Sequence, residues 1–137
     1  MQAVDFGTSG KPEAGDRVLL TFGGTVNPSL ILSGWDGSAT SITAHIETYN
    51  SADWLFFYDA ADTNWLSGLG GVDLVANYAN PGGVTFPNSQ MSVSGNTVTI
   101  VLGAPSGLVH KVHSAEDMIW WTYNGTITES GASDIDF

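Results

Sequence analysis

Short segments that alternate between apolar and polar residues, each closed by Gly, Asn or Pro, limit what this chain can become. Between Thr40 and Tyr49, Ile42, Ala44 and Ile46 fall on one face, and Thr43, His45 and Glu47 on the other. A repeat of two is the signature of a strand with one covered face. Arg17 to Phe22 repeats it, with Val18, Leu20 and Phe22 together, and stops at Gly23-Gly24. Trp54 to Asp59 is almost continuously apolar, as in a strand covered on both faces, which places Trp54 inside. Val72 to Tyr78 is a weaker strand. Met91 to Ser94 and Thr97 to Leu102 flank Gly95-Asn96 and read as a hairpin. Ile119 to Tyr123 and Thr126 to Glu129 flank Asn124-Gly125, a pair suited to a type I′ turn, with Trp121 inside.

Helix is confined to single turns. Pro28 suits the first helical position with Asn27 as its cap, so one turn is expected over 28–32. Ser114 followed three residues later by Asp117 fits a capping box and opens a second turn. About seven short strands with tight turns predict an all-β fold, a two-sheet β-sandwich, with a barrel as the alternative. At 137 residues, with no internal repeat or low-complexity linker, the chain reads as one domain, 1–137. Residues 1–8 are a candidate N-terminal arm and 130–137 an acidic tail.

Charge narrows the partners. Three Lys+Arg stand against fourteen Asp+Glu, a formal net charge of −11. Nucleic acid and anionic membranes are bound by clustered cations, which Lys11, Arg17 and Lys111 do not supply. No apolar run approaches the roughly 18 residues of a membrane-spanning helix. With no cysteine, disulfides, thiolate metal sites and Cys nucleophiles drop out together. Met1 to Phe6 has neither the basic nor the apolar part of a signal peptide, so folding in a cytoplasm is expected.

Each candidate for chemistry has a plainer explanation. Gly103 to Gly107 only superficially approaches a nucleophile elbow. His110, His113, Glu116 and Asp117 would converge as metal ligands on a helix, but Val109 to Val112 reads as strand or loop. Asp53, Asp59, Asp62 and Asn64 offer oxygens for calcium without the EF-hand spacing, and turn formation explains them. His45 lies on a polar strand face. Asn124 to Thr126 matches a glycosylation sequon that a tight turn accounts for equally well. No pair among the carboxylates is singled out for glycoside hydrolysis. The reading is therefore a non-enzyme with no cofactor and no metal site. Of the Trp residues, Trp35, Trp65 and Trp120 are the candidate surface anchors, and Val4 and Phe6 are apolar anchors on the N-terminal arm.

The stretches AGDRVLLTF (Ala14 to Phe22), VNPS (Val26 to Ser29), ILSGWDG (Ile31 to Gly37) and GNTVTIVLG (Gly95 to Gly103) resemble the immunoglobulin-like modules of bacterial surface proteins. Similar modules occur among virion proteins of phages that infect actinobacteria. The resemblance implies an Ig-like β-sandwich over about Ala14 to Gly103. Surface modules are repeated, exported and anchored, and carry an acidic residue where Gly23-Gly24 stands here. The resemblance thus points to a bacteriophage capsid decoration protein, a structural virion protein on the capsid exterior assembled in the host cytoplasm. Its expected partners are the major capsid protein and further copies of itself, a trimer being favoured because it matches a local threefold position. The alternatives are an adhesion or carbohydrate-binding module of an exported bacterial surface protein, and a phage tail or fibre-associated domain.

Overall fold

The computed structural model describes residues 2–49, 51–74, 76–79, 81–110, 120–123 and 126–127, with the backbone alone for Gln2 and for 120–123 and 126–127. Among these residues nine strands form one antiparallel sheet. They are β1 (Gln2–Val4), β2 (Arg17–Thr21), β3 (Thr40–Tyr49), β4 (Ala52–Asp59), β5 (Gly71–Asp73), β6 (Val84–Ser94), β7 (Thr97–Val101), β8 (Trp120–Tyr123) and β9 (Thr126–Ile127). The spatial order is β1-β2-β7-β6-β3-β4-β5-β8-β9. Single 3-10 turns stand at Pro28–Leu30 and Ser67–Leu69. The all-β class with short helical turns is the one the alternation predicts, and Asn27 caps the first turn by accepting from the Ser29 amide.

The hydrogen-bond ladder runs across all nine strands, and the sheet is curled. One apolar cluster gathers Val18 and Leu20 of β2, Val98 and Ile100 of β7, and Phe86 and Met91 of β6. Ile42, Ala44 and Ile46 of β3 and Leu55 and Phe57 of β4 belong to it too, as do Trp35, Leu69 and Tyr78 from outside the strands. A period of two delivers these to one side within β2, β3, β4 and β7, while in β6 Phe86 and Met91 share that side because the register shifts between them.

A bulge in β6 helps the sheet bend. Ile42 pairs with Ser89 and Ala44 with Phe86, so one residue of β3, Thr43, stands across from two of β6, Pro87 and Asn88. Pro87 and Asn88 fall within the irregular stretch, and Asn88 is left-handed at φ 58°. Pro has no ladder donor and Asn tolerates that backbone, which suits both to a bulge. Ser89 Oγ donates to the Phe86 carbonyl and accepts from the Gly103 amide, closing the polar groups that the bulge frees. Gly103 passes so near the Pro87 carbonyl that a Cβ would overlap it.

Two buried carboxylates tie irregular backbone to the sheet. Asp53, on the inward phase of β4, accepts from Thr48 Oγ1 at 2.7 Å and from the Tyr78 and Ala79 amides at 2.7 and 2.8 Å. This explains why the strand expected over Val72 to Tyr78 ends at Asp73. Two amides that could have extended a ladder serve a side chain instead. Asp16 likewise accepts from the Phe6 and Glu13 amides. Burial pushes its carboxyl above the usual range, against those bonds.

The N-terminal arm is an edge strand over Gln2–Val4, paired with β2. Phe6 beyond it is exposed, with the Arg17 guanidinium 4.7 Å from its ring centroid. The turn expected at Ser114, the Asn124-Gly125 turn and the 130–137 tail lie outside the described residues.

Gly103→Ala is expected to lower stability by about 1–3 kcal/mol through overpacking against backbone. Gly24→Ala, whose methyl meets nothing within 4 Å, should stay within about 0.5 kcal/mol of the parent. Urea unfolding of both variants measures the contrast.

Candidate functional site: the outer face of β3 and β4

Once Asp53, Leu55 and Phe57 point inward, Trp54, Phe56 and Tyr58 must point outward. Trp54, expected inside, is therefore half-buried on the outer face. The register sets Glu47 opposite Trp54, His45 opposite Phe56 and Thr43 opposite Tyr58. Trp65 joins the same row through a bridge to Tyr58.

These aromatics pack on one another and leave their ends in water. Tyr49 meets Trp54 edge-on at 6.3 Å between centroids, and Phe56 meets Trp65 edge-on at 6.1 Å. Trp54 and Phe56 are nearly parallel, 12° apart. A Cβ on Gly71 of β5 would lie 2.5 Å from Phe56 Cε1, so the absence of a side chain there lets the ring settle on the backbone. Tyr49 keeps 59% of its surface exposed and Trp65 49%.

Beside the aromatic row runs a polar one. His45, only 15% exposed, has Nδ1 3.1 Å from Glu47 Oε1 and Nε2 2.5 Å from Asp62 Oδ1. Its ring leans on Tyr58 at 4.4 Å. Burial, and then the nearby Glu47 and Asp62 charges, push the Tyr58 hydroxyl above its ordinary value. Next to His45 and Glu47 opens a cleft of about 420 Å³, lined also by Thr48, Gly83, Thr85 and Ser106. Gly83 is left-handed at φ 75°, and a Cβ on it would lie 2.6 Å from the Ile46 carbonyl oxygen.

The loop after β4 holds Asp62 in place. Asp59 accepts from the Thr63 amide at 2.8 Å and from Asn64 Nδ2 at 2.5 Å. Those bonds, the Thr63 amide first, draw the Asp59 carboxyl down to about 2. The oxygens considered for calcium are thus engaged elsewhere: Asp59 in its own loop, Asp62 on His45, Asp53 in the core. Among the described residues no group of three or more His, Asp or Glu is placed to hold a metal ion.

Both His45 nitrogens face carboxylates, so neither is placed to take a proton from a hydroxyl. Ser106 Oγ is engaged with Thr85, and Thr48 Oγ1 donates to Asp53. The face offers rings, carboxylates and a shallow cleft for contact.

Trp35, expected as a surface anchor, is only 8% exposed. The loop between Gly34 and Gly37 folds the indole onto the core, and its Nε1 donates to the Ser38 carbonyl at 2.6 Å. Trp65 is exposed as expected, and Val4 is half-buried in its edge strand. Trp120 pairs with Asp73 in the ladder, but its side chain, like that of Trp121, lies outside the described residues. So do His113, Glu116 and Asp117. Tyr49, Phe56 and Glu47 were not expected at a site, and Asp62 was considered only as a calcium ligand. For Phe56 the signal is the phase of β4, which the unbroken apolar run conceals; Glu47 and Tyr49 share the polar phase of β3 with His45.

Compared with protein-family models, curated proteins and solved structures, the chain matches none.

A carboxyl more acidic folded than unfolded stabilises the folded state above its ordinary value of 3.8 and loses that contribution as pH falls through about 2. Asp59→Asn is therefore expected to lower the urea midpoint at neutral pH. The gap from the parent should close as pH is taken from about 4 to about 2, followed by tryptophan fluorescence.

Proposed function

We propose that this chain is a non-enzymatic structural domain that docks on another protein through the outer face of β3 and β4. The observation that carries the reading is the aromatic row, with Tyr49 59% and Trp65 49% exposed to solvent. Aromatic residues held by their neighbours give large contact area at little cost in side-chain freedom, as the central anchors of interfaces do. The engagement of both His45 nitrogens by carboxylates favours binding over catalysis at this face.

The sequence resemblance supplies the partner. The docking surface is the exterior of a bacteriophage capsid, and the chain is a decoration protein that cements neighbouring major capsid subunits. Several copies act together there, a trimer matching a local threefold position. A strongly acidic protein, at −11, suits the outside of a shell whose inside meets DNA.

Purified protein is expected to co-sediment with undecorated capsids at micromolar concentration. Tyr49→Ala with Trp65→Ala should weaken binding about tenfold or more, with the thermal unfolding curve little changed. Failure of the parent protein to sediment with capsids at micromolar concentration would sink the reading.

A further inference from the structure

The outer face is acidic as well as aromatic. Glu47 stands opposite Trp54 on one side and Asp73 opposite it on the other, and Asp62 reaches the same face through His45. Of the described cations, Lys11 is held by Glu13, and Arg17 belongs to β2 and stacks on Phe6. Three strands, β7, β6 and β3, separate β2 from β4 in the sheet order. Among the described residues the aromatic row therefore lies in a field of one sign, on a chain whose net charge is itself −11.

We infer that the partner presents a basic segment to this face, with a lysine or arginine entering the cleft beside Glu47 and further cationic side chains lying over Trp54, Phe56 and Trp65. The inference rests on the docking reading above and adds the chemistry of what docks. Charge complementarity selects the occupant. A second copy of this chain would bring like charge to the face, and an acidic or nucleic-acid partner would be repelled. The cleft, at about 420 Å³, has room for one long side chain. Its rim offers the Glu47 carboxylate with the Thr48, Thr85 and Ser106 hydroxyls, all of which accept hydrogen bonds from an ammonium or guanidinium. The neighbouring rings can receive a cation over their faces, an arrangement the chain itself adopts where Arg17 meets Phe6. A neutral glycan fits less well. Two of the three ring contacts in the row are edge-on, at 81° and 89°, so the rings do not form the flat platform on which a sugar lies.

The test is titration of the full chain with an arginine- and lysine-rich peptide of about a dozen residues, its glutamate-substituted counterpart, and a neutral oligosaccharide, followed by tryptophan fluorescence and calorimetry. The basic peptide is expected to bind, more weakly as salt is raised, and the other two to give no saturable signal. Glu47→Gln with Asp62→Asn should weaken the peptide about tenfold. Asn tolerates the left-handed backbone at position 62, and thermal unfolding verifies that the variant is folded. Asp5→Asn with Asp36→Asn removes the same two charges elsewhere and should change affinity by less than about twofold. Equal losses in the two double variants, no binding of the basic peptide, or saturable binding of the oligosaccharide would each overturn the inference. Sedimentation with capsids separates it from the reading beneath it. If parent and Glu47/Asp62 variant sediment equally, the basic partner is wrong and docking stands. If neither sediments while the peptide binds face-specifically, the capsid is wrong and the basic partner stands.

Discussion

Strand β4 has one workable phase, and both faces of the protein follow from it. Leu55 and Phe57 are fully buried, and so is the Asp53 carboxylate that shares their side. A slip of one residue would bring Trp54, Phe56 and Tyr58 into the core and drive two large apolar side chains into water. It would also strip the Tyr78 and Ala79 amides of the acceptor that holds them. The outward aromatics are thus the other half of the same constraint, and what the fold can do with them is let them cover one another and the bare backbone at Gly71.

Curling a single sheet creates a second demand. Where the sheet bends at the β6 bulge, backbone groups leave the ladder and need partners. Ser89 and Gly103 meet that demand together, one by its hydroxyl and the other by having no Cβ. Asp16 does the equivalent for the loop before β2, and Asp53 for Tyr78 and Ala79. In each place a short polar side chain substitutes for strand pairing, which is why the loops stay close to the sheet although few of them are regular.

The outer face is then a consequence of packing with chemical character of its own. Hydrogen bonds in the loop after β4 set Asp62 against His45, and the register sets Glu47 against Trp54. Rings and carboxylates end up interleaved on one surface. A binding role needs no group that moves or reacts, and these groups are braced by one another.

Local sequence was sufficient for the elements whose cause is local. The period of two over Thr40 to Tyr49 marks β3 from first residue to last, the Gly95-Asn96 break marks the β6–β7 hairpin, and Asn27-Pro28 marks a 3-10 turn. The charge balance is likewise read without coordinates. Tertiary structure alone decided that the strands join one continuous curled sheet, that Trp35 turns in and Trp54 out, and that His45, Glu47 and Asp62 meet. The physical reason is that alternation defines two faces without labelling them. In β4 nearly every residue is apolar, so the label comes only from what the neighbouring strands and the distant amides of Tyr78 and Ala79 require of Asp53.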